Sequence, residues 1–267
     1  MKPTIESLQN PKIKLAMRLR DSRFRRRSGQ IVIDGVREIE AARYAGVAFE
    51  SIFCSDALTG ASEESVAAIE KWPADLVQPV SQRVMEKIAF GQRMSRAVAI
   101  ASTPALLLDG LQLPSQPLIV VLDRVEKPGN IGAVARTVAA AGGDALVLTN
   151  PQCEVFNPNA IRASLGTVFS LPIAAASTEE FQNWLEPRPI RVARACVDGA
   201  QSMWQCDLGG ALAIVLGSEA FGLGVEWNQT RWPSVVIPMR PGADSLNLSV
   251  SAAVLCYEAL RQRGAGK

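Results

Sequence analysis

Three polar segments in the second half of the chain carry the side chains that could do chemistry, and each follows an apolar run. They span residues 123–137, 216–224 and 237–251. In an open α/β sheet, ligands bind at the carboxyl ends of the strands, so segments placed in this way are candidates for one shared site. Their amide, guanidinium, carboxylate and hydroxyl groups can bind the hydroxyls and phosphates of a ligand. The candidates are Asn130 and Arg136 in the first segment, Glu219 in the second, and Ser245 and Asn247 in the third.

Each segment also has a plainer structural interpretation. Asn130 is placed to cap a helix, while Gly129 and Gly132 allow close approach of the backbone. Arg136 fits a solvated position in that helix. Glycine and glutamate are common at strand ends, and a long loop that ends in serine or asparagine commonly caps the next helix. No single segment identifies a function by itself, but the order and spacing of the three segments together are a specific pattern.

The residue types that are missing exclude several kinds of catalytic site. The chain has no histidine, which excludes serine or cysteine nucleophiles paired with histidine, imidazole bases and histidine-ligated zinc. Its five cysteines lie far apart without a Cys-x-x-Cys pair, so we expect reduced thiols and no metal. The Gly-rich fingerprints of dinucleotide-binding folds and of phosphate loops are absent, which disfavours enzymes that are built on those motifs.

Alternating strand and helix patterns position these segments. Residues 30–103 are predicted to form a compact α/β unit, and residues 104–117, rich in Pro, Gly and Ser, a linker. Residues 118–267 are predicted to form a second domain, in which continuous apolar strands separated by helices indicate a parallel sheet covered on both faces. Its strands are expected near 118–122, 145–149, 191–197, 211–216 and 234–237, and its helices near 131–141, 158–165, 178–186 and 248–263.

The charge of the chain is concentrated at its beginning. Residues 1–30 hold nine basic and two acidic side chains, although the net charge of the whole chain is only +2. Residues 1–29 are therefore predicted to form a basic arm or helix, with Asn10 as its cap and Pro11 in its first turn. A basic end on a mildly acidic body is typical of a protein that contacts a polyanion, although runs of charge are more often solvated surface.

Membrane insertion and export are not expected. The longest purely apolar run, residues 211–216, has six residues, whereas a helix that spans a bilayer needs about 20. The N-terminus carries scattered charge where a secretory signal would be apolar. Together with the predicted reduced thiols, this composition predicts a cytoplasmic protein.

The three segments together resemble the signature motifs of the SpoU (TrmH) family, which are RNA ribose 2′-O-methyltransferases of the SPOUT superfamily. The residues that carry the resemblance are P-G-N-I-G-A-V-A-R-T, then L-G-S-E-x-x-G-L, then I-P-M followed by S-L-N-L-S-V-S-A-A. The first half is similar to the family's substrate-binding α/β/α domain. The opening I-x-S-L-Q-N-P-K-I-K resembles the branch that modifies ribosomal RNA and includes thiostrepton-resistance enzymes.

The resemblance implies a fold, a cofactor and a set of site residues. The second domain is expected to hold a trefoil knot near its C-terminus and to bind S-adenosylmethionine, and the chain is expected to be a homodimer with sites near the interface. The residues implied to bind the cofactor are Leu216, Gly217, Ile237, Met239 and Leu246, and the implied catalytic residues are Asn130, Arg136, Glu219, Ser245 and Asn247.

The predicted activity is transfer of a methyl group from S-adenosylmethionine to a ribose 2′-hydroxyl of RNA, with ribosomal RNA as the substrate. Two alternatives stay open: a transfer RNA 2′-O-methyltransferase, and a non-catalytic RNA-binding or ribosome-assembly factor with the same fold. The sequence departs from the family pattern at Lys127, where an acidic residue usually precedes Pro-Gly-Asn. This departure changes the charge of the first segment.

Overall fold

The computed structural model describes residues 2–55, 62–90, 95–228 and 232–264. The chain divides into two compact units. Unit 1 consists of Met1–Pro104 and Phe156–Ser170, and unit 2 of Ala105–Val155 and Leu171–Lys267. No helix among the described residues combines the length and the apolar composition needed to cross a membrane.

The helices and strands alternate through most of the chain. Up to residue 102 they are α1 (Pro11–Arg18), α2 (Ser22–Ser28), β1 (Gln30–Asp34), α3 (Val36–Tyr44), β2 (Phe49–Ser55), α4 (Glu63–Glu70), β3 (Val77–Val80), α5 (Gln82–Ile88) and β4 (Ala97–Ser102). After a 3₁₀ turn at Leu108–Gly110 they are β5 (Leu118–Asp123), α6 (Pro128–Ala140), β6 (Ala145–Thr149), α7 (Pro158–Ala163), α8 (Thr167–Ser170), β7 (Ile173–Ala176), α9 (Thr178–Leu185), β8 (Arg191–Ala195), β9 (Gln201–Ser202), β10 (Leu212–Leu216), α10 (Val225–Asn228), β11 (Ser234–Val236) and α11 (Leu248–Gln262).

Unit 1 is built on a four-stranded sheet in the order β1-β4-β2-β3. Strand β4 is antiparallel to both of its neighbours, and β2 and β3 are parallel. Asn10 caps α1 as predicted, because its side chain accepts a hydrogen bond from the backbone nitrogen of Lys12 at 2.9 Å. The basic segment is not a free arm: α1 packs on α5, and Ile13, Ala16 and Leu19 are fully buried in the core.

Helices α7 and α8 belong to unit 1, although the sequence patterns suggested one continuous second domain from residue 118. Helix α7 packs on β1, and α8 packs on α3. The approach to α3 is close at Gly166, whose φ is +85° and where an added Cβ would lie 2.6 Å from the Cβ of Ala41. These contacts join segments that lie far apart along the chain. Helical periodicity could therefore predict a helix near 158–165, but it could not predict what that helix packs against.

Unit 2 is built on a seven-stranded parallel sheet in the order β7-β6-β5-β10-β8-β11-β9. The predicted parallel sheet is thus confirmed. Strands β5, β6 and β10 are buried at every position, as expected for strands covered on both faces. The short strands β7 and β9 were not predicted, because runs of four and two residues carry too little pattern.

The segment expected to be a linker packs on unit 2. Leu108, Leu111 and Leu113 lie against its core, and the carbonyl of Leu106 accepts a hydrogen bond from the backbone nitrogen of Ala175. Proline and glycine in residues 104–117 marked an irregular path but did not reveal that its leucines are partly buried. Irregular backbone can still bury apolar side chains when it lies against a sheet.

Candidate active site

The three polar segments follow three strands of the sheet in unit 2. Strand β10 pairs in parallel with β5 on one side and with β8 on the other, and β8 pairs in parallel with β11. The segments after β5, β10 and β11 therefore leave the sheet at the same edge. This is the edge at which open parallel sheets bind ligands.

A cavity of about 700 Å³ lies at this edge. Pockets of about 300–1,000 Å³ accommodate a small molecule or cofactor. All residues predicted to bind the cofactor line this cavity: Leu216, Gly217, Ile237, Met239 and Leu246. Three of the predicted catalytic residues line it as well: Glu219, Ser245 and Asn247.

Gly217 is required by the tight turn that begins where β10 ends. An added Cβ at this position would lie 2.1 Å from the backbone carbon of Gly222, so no other residue fits without moving the turn. Ser218 and Gly222 close the turn with a pair of backbone hydrogen bonds of 2.9 and 3.0 Å. The turn brings Glu219 to the cavity and leaves the Phe221 side chain at its rim, with 81% of the residue exposed.

Asp123, which sequence reasoning did not select, anchors this turn to the end of β5. The residue is fully buried, and its carboxylate accepts hydrogen bonds from the hydroxyls of Thr149 and Thr178 at 2.8 and 3.2 Å. Its other oxygen accepts a hydrogen bond from the backbone nitrogen of Gly224 at 2.9 Å. A buried carboxylate is tolerated where donors surround it. The sequence feature that could have identified Asp123 is its place directly after an apolar strand.

Glu219 joins the three segments. Its Oε1 accepts hydrogen bonds from the Asn130 side-chain amide at 3.1 Å, from the Asn247 side-chain amide, and from the backbone nitrogen of Leu248 at 3.5 Å. Its Oε2 forms an ion pair with the ammonium group of Lys127. A carboxylate can only accept hydrogen bonds, so both asparagines present their NH₂ groups to it.

The same contacts shift the pKa values of the ion pair. The hydrogen bond from Lys127 lowers the pKa of Glu219 below its ordinary value, and the bonds from Asn130 and Leu248 act in the same direction. Conversely, the hydrogen bond to Glu219 raises the pKa of Lys127. Both groups are therefore charged at neutral pH.

Asn130 is not the helix cap that its position suggested. Helix α6 begins at Pro128, with Lys127 at the N-cap, so Asn130 lies inside the first turn. Its side chain bonds Glu219 instead of its own helix. Asn247 does cap a helix, because its Oδ1 accepts from the backbone nitrogen of Ser249 at 2.9 Å at the start of α11.

Two predicted catalytic residues do not line the cavity. Asn130 is joined to it through Glu219, whereas Arg136 is not. It lies further along α6, is exposed, and forms no hydrogen bond or ion pair with the residues described. The cavity instead includes residues that were not predicted, namely Cys196, Val197 and Asp198 directly after β8. Their placement follows from the sheet order, in which β8 lies between β10 and β11.

Comparison with known proteins extends over both units. Residues 117–257 match the model of the SpoU rRNA Methylase family, and residues 10–99 match that of the MRM3-like substrate binding domain. The 23S rRNA (adenosine(1067)-2′-O)-methyltransferase of Streptomyces laurentii is 32% identical over 87% of this chain and 86% of its own. The 23S rRNA (uridine(2479)-2′-O)-methyltransferase of Streptomyces viridochromogenes is 29% identical over 91% of this chain and 86% of its own.

A solved structure shows the same similarity in three dimensions. The SpoU methyltransferase AviRb from Streptomyces viridochromogenes, crystallised in complex with AdoMet, superposes with a TM-score of 0.87 at 26% identity. The superposition covers 97% of this chain and 100% of that one.

Proposed function

Because the chain belongs to the SpoU rRNA methylase family, we propose that it transfers a methyl group from S-adenosylmethionine to a ribose 2′-hydroxyl of ribosomal RNA. The observation that carries this proposal is the cavity of about 700 Å³ at the edge of the parallel sheet, with the Glu219 hydrogen-bond cluster beside it. The two Streptomyces relatives described above are named for their action on 23S rRNA. Ribosomal RNA is therefore the preferred substrate class, and transfer RNA remains the alternative.

The cavity suits S-adenosylmethionine in size and in the character of its walls. Leu216, Ile237 and Leu246 offer apolar surface, and the missing side chain of Gly217 leaves its backbone accessible. Backbone groups beside apolar walls are a common way to hold a cofactor. When bound, the cofactor supplies a methyl group that is already activated on a sulfonium, so the protein must chiefly align the 2′-oxygen and manage its proton.

The residues around the cavity divide these tasks. We assign Ser245 and Asn247 to position the ribose. Asn130, which Glu219 holds in place, is assigned to accept a hydrogen bond through its amide oxygen. Alignment of reacting groups can lower a barrier by about 7–11 kcal/mol. No histidine is available as a base.

Arg136 has two candidate roles, proton acceptor or electrostatic stabiliser. A guanidinium group is not readily deprotonated in a protein, which favours the second. In that role Arg136 binds the phosphate next to the target ribose and stabilises the negative charge that develops on the 2′-oxygen.

The proposal includes a homodimer and a trefoil knot, both implied by the resemblance. Two observations support the dimer: Val250 and Tyr257 on α11 are 46% and 51% exposed, and Arg136 lies outside the cavity of a single chain. An apolar face on a helix is typical of a subunit interface. Support for the knot comes from the strand order, in which β8 lies between β10 and β11.

The basic helices α1 and α2 are proposed to contact RNA through part of their charge. Arg25 is buried and donates to the carbonyls of Leu19 and Arg20, so it stabilises the unit. The exposed arginines can face phosphates. Phe24 lies among them, and the guanidinium carbon of Arg18 is 4.2 Å from the centre of the Phe24 ring. The exposed arginines are Arg18, Arg20, Arg23, Arg26 and Arg27, of which Arg20 donates to the carbonyls of Lys87 and Ala89.

A cytoplasmic location is part of the same proposal. All five cysteines are free, and burial raises the pKa of the Cys54 and Cys256 thiols to about 12. Free thiols fit a reducing compartment.

The activity is tested with ribosomal RNA from cells that lack this protein. Purified protein, labelled S-adenosylmethionine and this RNA are expected to give labelled RNA, with a new bond that resists alkaline cleavage, because a 2′-O-methyl group blocks that reaction. Label in transfer RNA alone would favour the alternative substrate. Binding of RNA without transfer of label would favour the non-catalytic factor.

A further inference from the structure

Lys127 occupies a position that helix stability does not explain. It is the N-cap residue of α6, yet its side chain makes no capping hydrogen bond. A positive charge at a helix N-terminus opposes the helix dipole, and lysine is not a favoured N-cap. Its ion pair with Glu219 is also largely exposed, with 66% of the Lys127 side chain accessible. Such pairs add little to stability.

The ion pair acts instead on a carboxylate that determines how other side chains are oriented. The Asn247 amide is held twice, because its Oδ1 also accepts hydrogen bonds from the backbone nitrogen and hydroxyl of Ser249 at 2.9 and 2.6 Å. The Asn130 side chain has no second hydrogen-bond partner among the described residues. Among those residues, Glu219 is therefore the hydrogen-bond partner that sets the direction of the Asn130 side chain.

Asn130 is sensitive to the protonation state of Glu219 for a simple reason. A side-chain amide has a donor end and an acceptor end of nearly equal size. An ionised Glu219 accepts only the NH₂ end, which turns the amide oxygen of Asn130 away from it. A protonated Glu219 can donate as well, so the amide is no longer restricted to one orientation.

We propose that Lys127 is a positioning residue for methyl transfer: its ammonium group holds the Glu219 carboxylate, which fixes the direction of the Asn130 amide. This inference rests on the proposed function. It concerns a position at which the family resemblance leads us to expect an acidic residue, whereas this chain has a lysine. Lys127 does not line the cavity, so it acts on the cofactor and the ribose only through Glu219 and Asn130.

The other charged groups nearby are mostly acidic. Glu126 is adjacent to Lys127, and Asp198 and Asp244 line the same cavity as Glu219. Arg124 pairs with Glu226 at 2.8 Å and so neutralises a different carboxylate. Without Lys127, the pKa of Glu219 would lie closer to its ordinary value, because the hydrogen bond that lowers this pKa most would be lost.

The test compares the pH dependence of methyl transfer in Lys127→Met and Lys127→Arg with that of the unaltered protein. Methionine keeps much of the apolar stem but removes the charge, and arginine keeps the charge. Single-turnover rates are measured from pH 4.0 to 8.5 with saturating S-adenosylmethionine and ribosomal RNA. Lys71→Met, at an exposed lysine of unit 1, is the matched control for loss of one positive charge.

The expected signature is a loss that depends on pH. Lys127 favours the ionised form of Glu219, so its removal moves the acidic limb of the profile to higher pH. Lys127→Met is expected to be about twofold slower at pH 4.5, where about half of an ordinary glutamate is protonated, and to approach the unaltered rate at pH 8.5. Lys127→Arg and Lys71→Met are expected to keep the original profile, and all variants to bind S-adenosylmethionine with unchanged affinity.

Two outcomes would overturn the inference. One is an unchanged profile in Lys127→Met, and the other is a loss of equal size at every pH, which would indicate a direct contact of Lys127 with RNA. In a Glu219→Gln background the Lys127→Met change is expected to have no further effect, because coupled residues are not additive. Failure of the unaltered protein to methylate ribosomal RNA would instead contradict the proposed function.

Discussion

The side-chain amide of Asn130 donates a hydrogen bond of 3.1 Å to Glu219, although 89 positions separate the two residues along the chain. This bond links the first turn of α6 to the turn after β10. Because the Asn130 side chain bonds Glu219 and does not cap its own helix, the bond indicates a role at the site.

Asn130→Ala is expected to reduce methyl transfer by about 100-fold, because small misplacements of aligned groups have effects of that size. The melting temperature is expected to change little, since Asn130 is not the N-cap of α6. Transfer rates and thermal denaturation check both parts. Asn10→Ala, which removes a true cap, is the stability control and is expected to lower stability by about 1 kcal/mol. A drop in melting temperature for Asn130→Ala as large as for Asn10→Ala would return Asn130 to a structural role.

Arg136→Ala is expected to abolish methyl transfer while leaving the affinity for S-adenosylmethionine within about twofold. Arg136 is exposed, does not line the cavity, and has no partner among the described residues that its loss would disrupt. Isothermal titration with the cofactor and a transfer assay with ribosomal RNA measure the two effects separately. Arg136→Lys keeps the charge without the planar fork and is expected to restore part of the activity if the role is electrostatic. Equal loss of cofactor binding and activity would show that Arg136 is structural.

Replacing Arg23, Arg26 and Arg27 by glutamine is expected to weaken RNA binding and to flatten its salt dependence. Each lost phosphate contact lowers the slope of log K against log salt by about 0.7–0.9. Binding is measured at several salt concentrations. Deleting the whole segment is a poor test, because Ile13, Ala16 and Leu19 belong to the core. The control is Arg25→Gln, which is expected to destabilise unit 1 because Arg25 is buried. An unchanged slope in the triple variant would remove α2 from the RNA-binding surface.

Phe221→Ala is expected to raise the KM for RNA by about tenfold with little change in cofactor affinity. The ring is held at the rim of the cavity by a closed turn and is available for stacking on a base. Base–aromatic stacking contributes about 1–3 kcal/mol. Phe221→Trp is expected to retain the KM. A change in oligomeric state of Phe221→Ala, measured by light scattering, would indicate that Phe221 packs against a second copy of the chain instead.

S-Adenosylmethionine is expected to protect Cys196 from alkylation, because Cys196 lines the cavity. Burial raises the pKa of this thiol, so its thiolate form and its alkylation rate increase as the pH rises above neutral. Mass spectrometry after iodoacetamide treatment at pH 8.5, with and without the cofactor, measures the protection. Cys153 is the internal control: it is partly buried outside the cavity, and burial raises its pKa to about 11. Equal labelling of Cys196 with and without the cofactor would contradict the assigned pocket.

Features that depend on neighbouring residues were predictable from the sequence. Ser177 and Glu180 form a capping box at the start of α9, a feature that the spacing of the two residues is sufficient to define. Apolar runs likewise identified β5, β6 and β10. The motif residues after β10 and β11 were placed together because parallel strands end at a common edge.

Features that depend on pairing between distant segments were not predictable. Asn130 has a sequence context typical of a cap, and only the folded position of Glu219 shows that its side chain bonds elsewhere. Asp123 appeared to be an ordinary residue at a strand end, since its donors Thr149, Thr178 and Gly224 are contributed by three other parts of the chain.

The inclusion of residues 156–170 in unit 1 has a consequence for synthesis of the protein. The ribosome releases β5, α6 and β6 of unit 2 before it releases α7 and α8 of unit 1. Until residue 170 emerges, the surfaces of α3 and β1 that these helices cover stay open to water in the nascent polypeptide. The N-terminal unit therefore cannot finish folding first, and both units must mature in overlapping stages.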